Sequence, residues 1–144
     1  MLKSQLIHPE ILAALGGSGH FSQVLIADGN FPVAGNRGPN AKIVHLNLAP
    51  GMVDSLTVLD ALLTAIPVQA ATVMEPPSDY APPITEIYRE KLGPDVTWNQ
   101  MERWAFYDKI ASPTTTLIIA TGEQRRFANL LLEVGMVKLA AENF

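Results

Sequence analysis

The sequence predicts an α/β fold, with a mainly parallel sheet and helices on both faces, in a single domain over residues 1–144. Three observations predict it. Short apolar, β-branched runs alternate along the chain with segments of helical period, the pattern of βαβ units. The length of 144 residues is that of one ordinary domain. A hydrophobic fraction of 48% is ample for a core, and no linker, internal repeat or low-complexity segment divides the chain.

Each element has its own local reason. Pro9 suits a first helical turn and Glu10 complements its positive end; Ile11, Leu12 and Leu15 share a face until Gly16-Gly17 stops the helix. Gln23–Ala27 is a short buried strand, ended by the turn residues Asp28-Gly29-Asn30. The loop Gly29–Asn40 is rich in Gly, Pro and Asn and long enough to shape a pocket rim. Ala41–Leu46 predicts a second strand. Asp54 or Ser55 caps the next helix, whose Leu56, Leu59, Leu62, Leu63 and Ile66 recur at helical spacing up to Pro67. Val68–Met74 is strand-like, and EPPSDYAPP is a loop with four prolines. Pro83 opens a helix through Leu92, stopped by Gly93-Pro94. Asp95–Gln100 is ambiguous, with a strand at Val96-Thr97-Trp98 as one reading. Arg103–Ala111 reads as a helix and Thr114–Ala120 as a buried strand. TGEQRRFAN is a loop, Leu130–Val134 is a strand or a helix, and a tail follows Gly135.

Composition narrows the function. With no cysteine, disulfides, thiolate catalysis and cysteine metal sites are excluded. The net charge is −4 and only Arg125-Arg126 places two cations together, so no nucleic-acid partner is expected. No run approaches eighteen apolar residues, so no membrane span is expected. The start MLKSQLIHPE lacks the apolar core of a secretory signal, and a cytoplasmic location is the expectation. No HExxH, paired ligand histidines or P-loop occurs. The glycines of GGSGHF precede a strand rather than follow one, which fails the dinucleotide context, and GSGH is not a nucleophile elbow.

The stretch Gly16–Pro32 carries the candidate chemistry. His20 follows a Gly/Ser turn, and an imidazole can give or take a proton near neutral pH. The alternative is a packing or surface histidine. Asp28 stands at the C-terminal end of the same strand, where α/β proteins bind ligands; the alternative is an Asx turn. A carboxylate near His20 would orient and charge it. Thr121-Gly122-Glu123 also follows a strand, with Asn129 close behind; Glu123 could equally be a helix-start anion. Among the aromatics, Trp98, Trp104 and Tyr107 either pack within the fold or give a sugar a flat face to stack on.

Taken together, HPEILAAL, GHFSQVLIADGNFP, RWAFYDK and TGEQRRFANLLLEVGMV resemble the family of ribose pyranases and fucose mutarotases over nearly the whole chain. The paired segments, GH followed after seven residues by D, and TGE followed by N, carry the match. RWAFY and YAPP at Tyr80–Pro83 resemble the fucose branch. The resemblance implies an RbsD-like fold, a ring-shaped homo-oligomer, commonly a decamer, and a monosaccharide partner. It implies His20 as proton donor, and places Asp28, Arg103 and Phe127-Ala128-Asn129 at the sugar site, with Tyr107 counted beside them. The family usually has tyrosine where this chain has Phe127, so a phenol donor is missing. Anomer exchange by ring opening and closing needs two proton transfers and no cofactor or metal.

Overall fold

A computed structural model of the chain describes residues 1–140. The last four residues of the expected tail lie outside the described residues. Ten elements follow in order: α1 (Pro9–Gly16), β1 (Gln23–Ala27), β2 (Lys42–His45), α2 (Ser55–Leu63), β3 (Val68–Met74), α3 (Pro83–Leu92), β4 (Thr97–Met101), α4 (Arg103–Ile110), β5 (Thr115–Ala120) and β6 (Leu130–Val134).

The strands form one sheet in the order β2-β5-β1-β6-β3-β4. Five run parallel, and β6 is the exception, antiparallel to both β1 and β3. Side-chain alternation sends each strand to two cores. Val24, Ile26, Leu117, Ile119, Leu130 and Leu132 face one cluster with Ile11 and Leu15 of α1, Leu59 and Leu62 of α2, and Ile84 and Tyr88 of α3. Leu25, Ala27, Ile118 and Leu131 face the other, with Phe106 and Ile110 of α4 and the loop residues Phe31 and Phe127. Helices therefore cover both faces, three on one and α4 on the other.

The caps are local chemistry. Asp54 is the N-cap of α2, its Oδ1 accepting the Thr57 amide at 2.8 Å. Glu102 caps α4 through the amides of Trp104 and Ala105. The helical spacing toward Ile66 overshoots: α2 ends at Leu63, because Thr64 turns its hydroxyl onto the Ala61 carbonyl at 2.6 Å. Ile66 still packs on the core. The ambiguous Asp95–Gln100 resolves as β4, an edge strand with exposed Thr97, Asn99 and Gln100, which explains its weak apolar signal. Leu130–Val134 is a strand: burial between β1 and β3 overrides the helix propensity of three leucines.

Candidate functional site

Asp28 leaves the C-terminal end of β1 almost wholly buried, and Asn129 stands just before β6. Because β6 runs antiparallel to β1, its start lies against the end of β1, with Ile26 opposite Leu130. The two residues close on each other. The Asp28 amide donates to Asn129 Oδ1 at 2.8 Å, and Asn129 Nδ2 donates to Asp28 Oδ2 at 3.1 Å. The Asn30 amide donates to Asp28 Oδ1 at 2.9 Å, so Asp28 does make the Asx turn as well. A carboxylate offers about four lone-pair sites, which leaves Asp28 acceptors for a ligand hydroxyl. Burial pushes its carboxyl above the ordinary value, against the lowering by amides of Asn30, Phe31 and Ala128, and Glu123 adds a smaller push upward.

A cavity of about 230 Å³ opens over this pair. Asp28, Asn30 and Asn129 line its polar side; Phe31, Met74 and Phe127 give it an apolar wall; Arg103, Tyr107 and Arg126 stand at its rim. Its size is below the roughly 300–1,000 Å³ of sites for drug-sized ligands. Phe31 and Tyr107 meet edge to face at 5.2 Å, as do Trp104 and Tyr107 at 5.7 Å. The Arg126 guanidinium lies over the rings of Tyr80 and Phe127, 5.1 and 5.5 Å from their centroids. Five of the seven anticipated residues, Asp28, Arg103, Tyr107, Phe127 and Asn129, thus line one cavity; a sixth, Ala128, stands between Phe127 and Asn129 and is buried in the core.

The site loop is held from below by a buried network that the sequence did not announce. Glu123 accepts from the Ser55 amide and hydroxyl and from the amide, Nε and Nη2 of Arg125. Burial pushes this carboxyl up, but the Arg125 and Ser55 donors together outweigh it and hold it at about 2. Tyr88 Oη lies 2.7 Å from both Ser55 Oγ and the Ala128 carbonyl, tying the network to the loop. Glu123 is therefore a helix-start anion, for α2 rather than for a following helix, and is not free to meet a ligand. Thr121 Oγ1 is likewise spent on the Ala27 carbonyl at 2.7 Å.

His20 is elsewhere, which corrects the expectation that Asp28 orients it. The whole of β1 separates them, roughly 17 Å at about 3.3 Å per residue. His20 is exposed in the turn before β1, stacked on Phe21 at 3.8 Å, and its Nε2 lies 2.8 Å from Gln69 Oε1. Trp98 also departs from the expected aromatic group: it packs on the opposite core, under Arg89. Two non-glycine residues have positive φ among the described residues, Phe21 at 71° and Phe127 at 58°. One adjoins His20 and the other opens the Phe127–Asn129 loop, and such conformations concentrate at functional sites.

Sequence reasoning did not name Arg126, Asn30, Phe31 or Met74 among the site residues, although all four line the cavity. Asn30 and Phe31 did lie in the loop expected to shape a pocket rim, and Arg126 carried a signal as half of the Arg125-Arg126 pair. Among the described residues no group of three or more His, Asp or Glu side chains could hold a metal ion, and no helix is long and apolar enough to cross a membrane.

A small pocket of hydroxyl-binding side chains at one end of a mixed α/β sheet suits a small polar ligand. The chain belongs to the RbsD / FucU transport protein family, whose model matches residues 1–137. It is 30% identical to a D-ribose pyranase of Pseudomonas syringae pv. tomato, over 95% of this chain and 99% of that one. The solved FucU of Bifidobacterium longum is 34% identical, with a TM-score of 0.79, covering 92% of this chain and 96% of that one. The fucose mutarotase of Streptococcus pneumoniae, solved with L-fucose, is 27% identical with a TM-score of 0.81, over 96% of this chain and all of that one. D-ribose pyranase and fucose mutarotase are names of enzymes that interconvert sugar anomers.

Proposed function

We propose that the protein is a mutarotase for a reducing monosaccharide, L-fucose by preference, acting in a ring-shaped homodecamer whose sites join two neighbouring copies. One observation carries the shared site. Asp28, Asn129 and Arg103 gather in a pocket that has no histidine, while His20 faces outward at the other end of β1. A neighbouring copy can bring its His20 to the pocket; the same copy cannot.

In this reading the Arg103 guanidinium, which lines the cavity, offers its fork of donors to sugar hydroxyls. Asp28 holds the anomeric hydroxyl and takes its proton as the carbonyl forms. The ring C–O bond breaks, its electron pair stays on the ring oxygen, and His20 of the neighbour protonates that oxygen. Rotation about the adjacent C–C bond presents the other face of the carbonyl. Closure returns both protons and restores both groups. Burial helps, because a carboxylate with a raised pKa is a stronger base than one in water. The wall of Phe31, Met74 and Phe127 suits the methyl group of a 6-deoxy sugar.

Mixing the two variants His20→Ala and Asp28→Ala tests this. Each alone should lose anomer exchange, read by saturation-transfer NMR on L-fucose. After dissociation and reassembly together, about a quarter of the sites should regain both groups. No recovery in mixed rings of confirmed mass would refute the shared site, and full exchange by folded His20→Ala would refute the chemistry. A second reading, D-ribose pyranase activity, has the 30% identity to the Pseudomonas enzyme in its favour; comparing rates on L-fucose and D-ribose decides between them.

A further inference from the structure

His20 is not alone at its end of the sheet. Its Nε2 lies 2.8 Å from Oε1 of Gln69, on β3, and Gln69 Nε2 lies 2.6 Å from Oε1 of Glu133, on β6. The sheet holds the two partners side by side, since Ala70 pairs with Glu133 in the β3–β6 ladder. Phe21, stacked on the imidazole at 3.8 Å and 20°, fixes the plane of the ring.

The chemistry of the chain of contacts sets its direction. A carboxylate only accepts hydrogen bonds, so the side of Gln69 facing Glu133 is its NH2 group. The amide has one carbonyl oxygen, and that oxygen therefore faces His20. A carbonyl cannot donate, so the nitrogen bonded to it must carry hydrogen. We infer that Gln69 and Glu133 are positioning residues that hold His20 as its Nε2–H tautomer, leaving Nδ1 as the nitrogen that exchanges protons with the sugar.

This inference rests on the role proposed for His20. In the neutral ring Nδ1 bears the free lone pair; in the imidazolium Nδ1–H is the hydrogen not engaged by the protein. The proton given to the ring oxygen leaves from Nδ1, and the same atom recovers it on closure. The Nε2–H bond to Gln69 persists throughout, so the ring does not have to turn between the two half-reactions.

Solid-state nitrogen NMR of the assembled protein, labelled only in its histidine rings, reads the tautomer directly. There are three histidines, and His20→Ala identifies the signals of His20. At a pH where the rings are neutral, His20 should show a protonated Nε2 and an unprotonated Nδ1. Gln69→Leu should average the two nitrogens toward each other and lower kcat for anomer exchange about three- to tenfold, the worth of one hydrogen bond, with KM little changed. Glu133→Leu, which lets the amide turn over, should shift the same signals in the same direction. A protonated Nδ1 in the native protein, or His20 signals unmoved in both variants, would overturn the tautomer assignment. Unchanged kcat in Gln69→Leu would overturn the positioning role. Because the spectra are read without sugar, failure here is distinct from failure of the mixed-ring experiment.

Discussion

Glu123→Gln changes one oxygen to an amide nitrogen in the most buried ion pair among the described residues. Glu123 is 3% exposed and its carboxylate accepts five hydrogen bonds, from Ser55 and Arg125. Glutamine keeps one oxygen but turns an NH2 group toward donors, and hydrogen bonds to charged groups contribute about 1.5–3 kcal/mol each. Proton linkage gives an independent figure. Holding the carboxyl at about 2 rather than 4.5 corresponds to about 3 kcal/mol at neutral pH. The Arg125 side chain is 41% exposed, so solvent screens part of this, and about 2–3 kcal/mol is the expected loss. For a chain of this size that lowers Tm by about 5–10 °C. The sign with pH follows. A carboxyl lowered by folding stabilises above its unfolded value and loses that contribution as pH falls toward its folded value. The gap between wild type and variant should therefore be full at pH 7 and shrink between about pH 4.5 and pH 2. Thermal unfolding at equal protein concentration across that range is the assay. A variant within about 0.5 kcal/mol of wild type at pH 7, or a gap that does not close in acid, would refute the role given to this network.

Two further substitutions probe the loop above it. Gly122→Ala places a methyl group against the Ala49 carbonyl and within 2.6 Å of the Met52 carbonyl, all backbone, and should destabilise by about 1–3 kcal/mol in thermal unfolding. Phe127→Tyr adds a phenol to a ring lining the cavity. One new hydrogen bond to the sugar should lower KM about two- to tenfold in anomer-exchange kinetics, without loss of stability.

The elements were legible wherever burial was one-sided or complete. Thr115–Ala120 and Val24–Ala27 announce themselves as apolar β-branched runs because they lie in the middle of the sheet. Thr97–Met101 does not, since an edge strand wets both faces and needs no pattern. Asp28 stood out as a carboxylate at a strand end, although the Asx turn it also makes was the competing reason for its place, and Asn129 stood out because it follows a Gly-containing loop. The distance between His20 and Asp28 could also be read, as a strand's length, but its consequence could not. Their separation becomes informative only once Asn129 is seen to take the place beside Asp28. Gln69 and Tyr88 gave no signal of their roles, and Ser55 was legible only as a possible helix cap. Each is an ordinary residue of a strand or helix, and its role depends on partners 33 to 68 positions away.

The reversed strand β6 has a consequence for tolerance to change. One end of it carries Asn129, locked to Asp28; the other carries Glu133, which steadies Gln69 and through it His20. A side chain on a strand faces the opposite way if the chain slips by a single residue. Inserting or deleting one residue within Leu130–Glu133 would put these two ends out of phase, so that only one of them could keep its register. The strand could then hold either the Asn129–Asp28 pair or the Glu133–Gln69–His20 contacts, but not both. Length within this strand is thus under a double constraint.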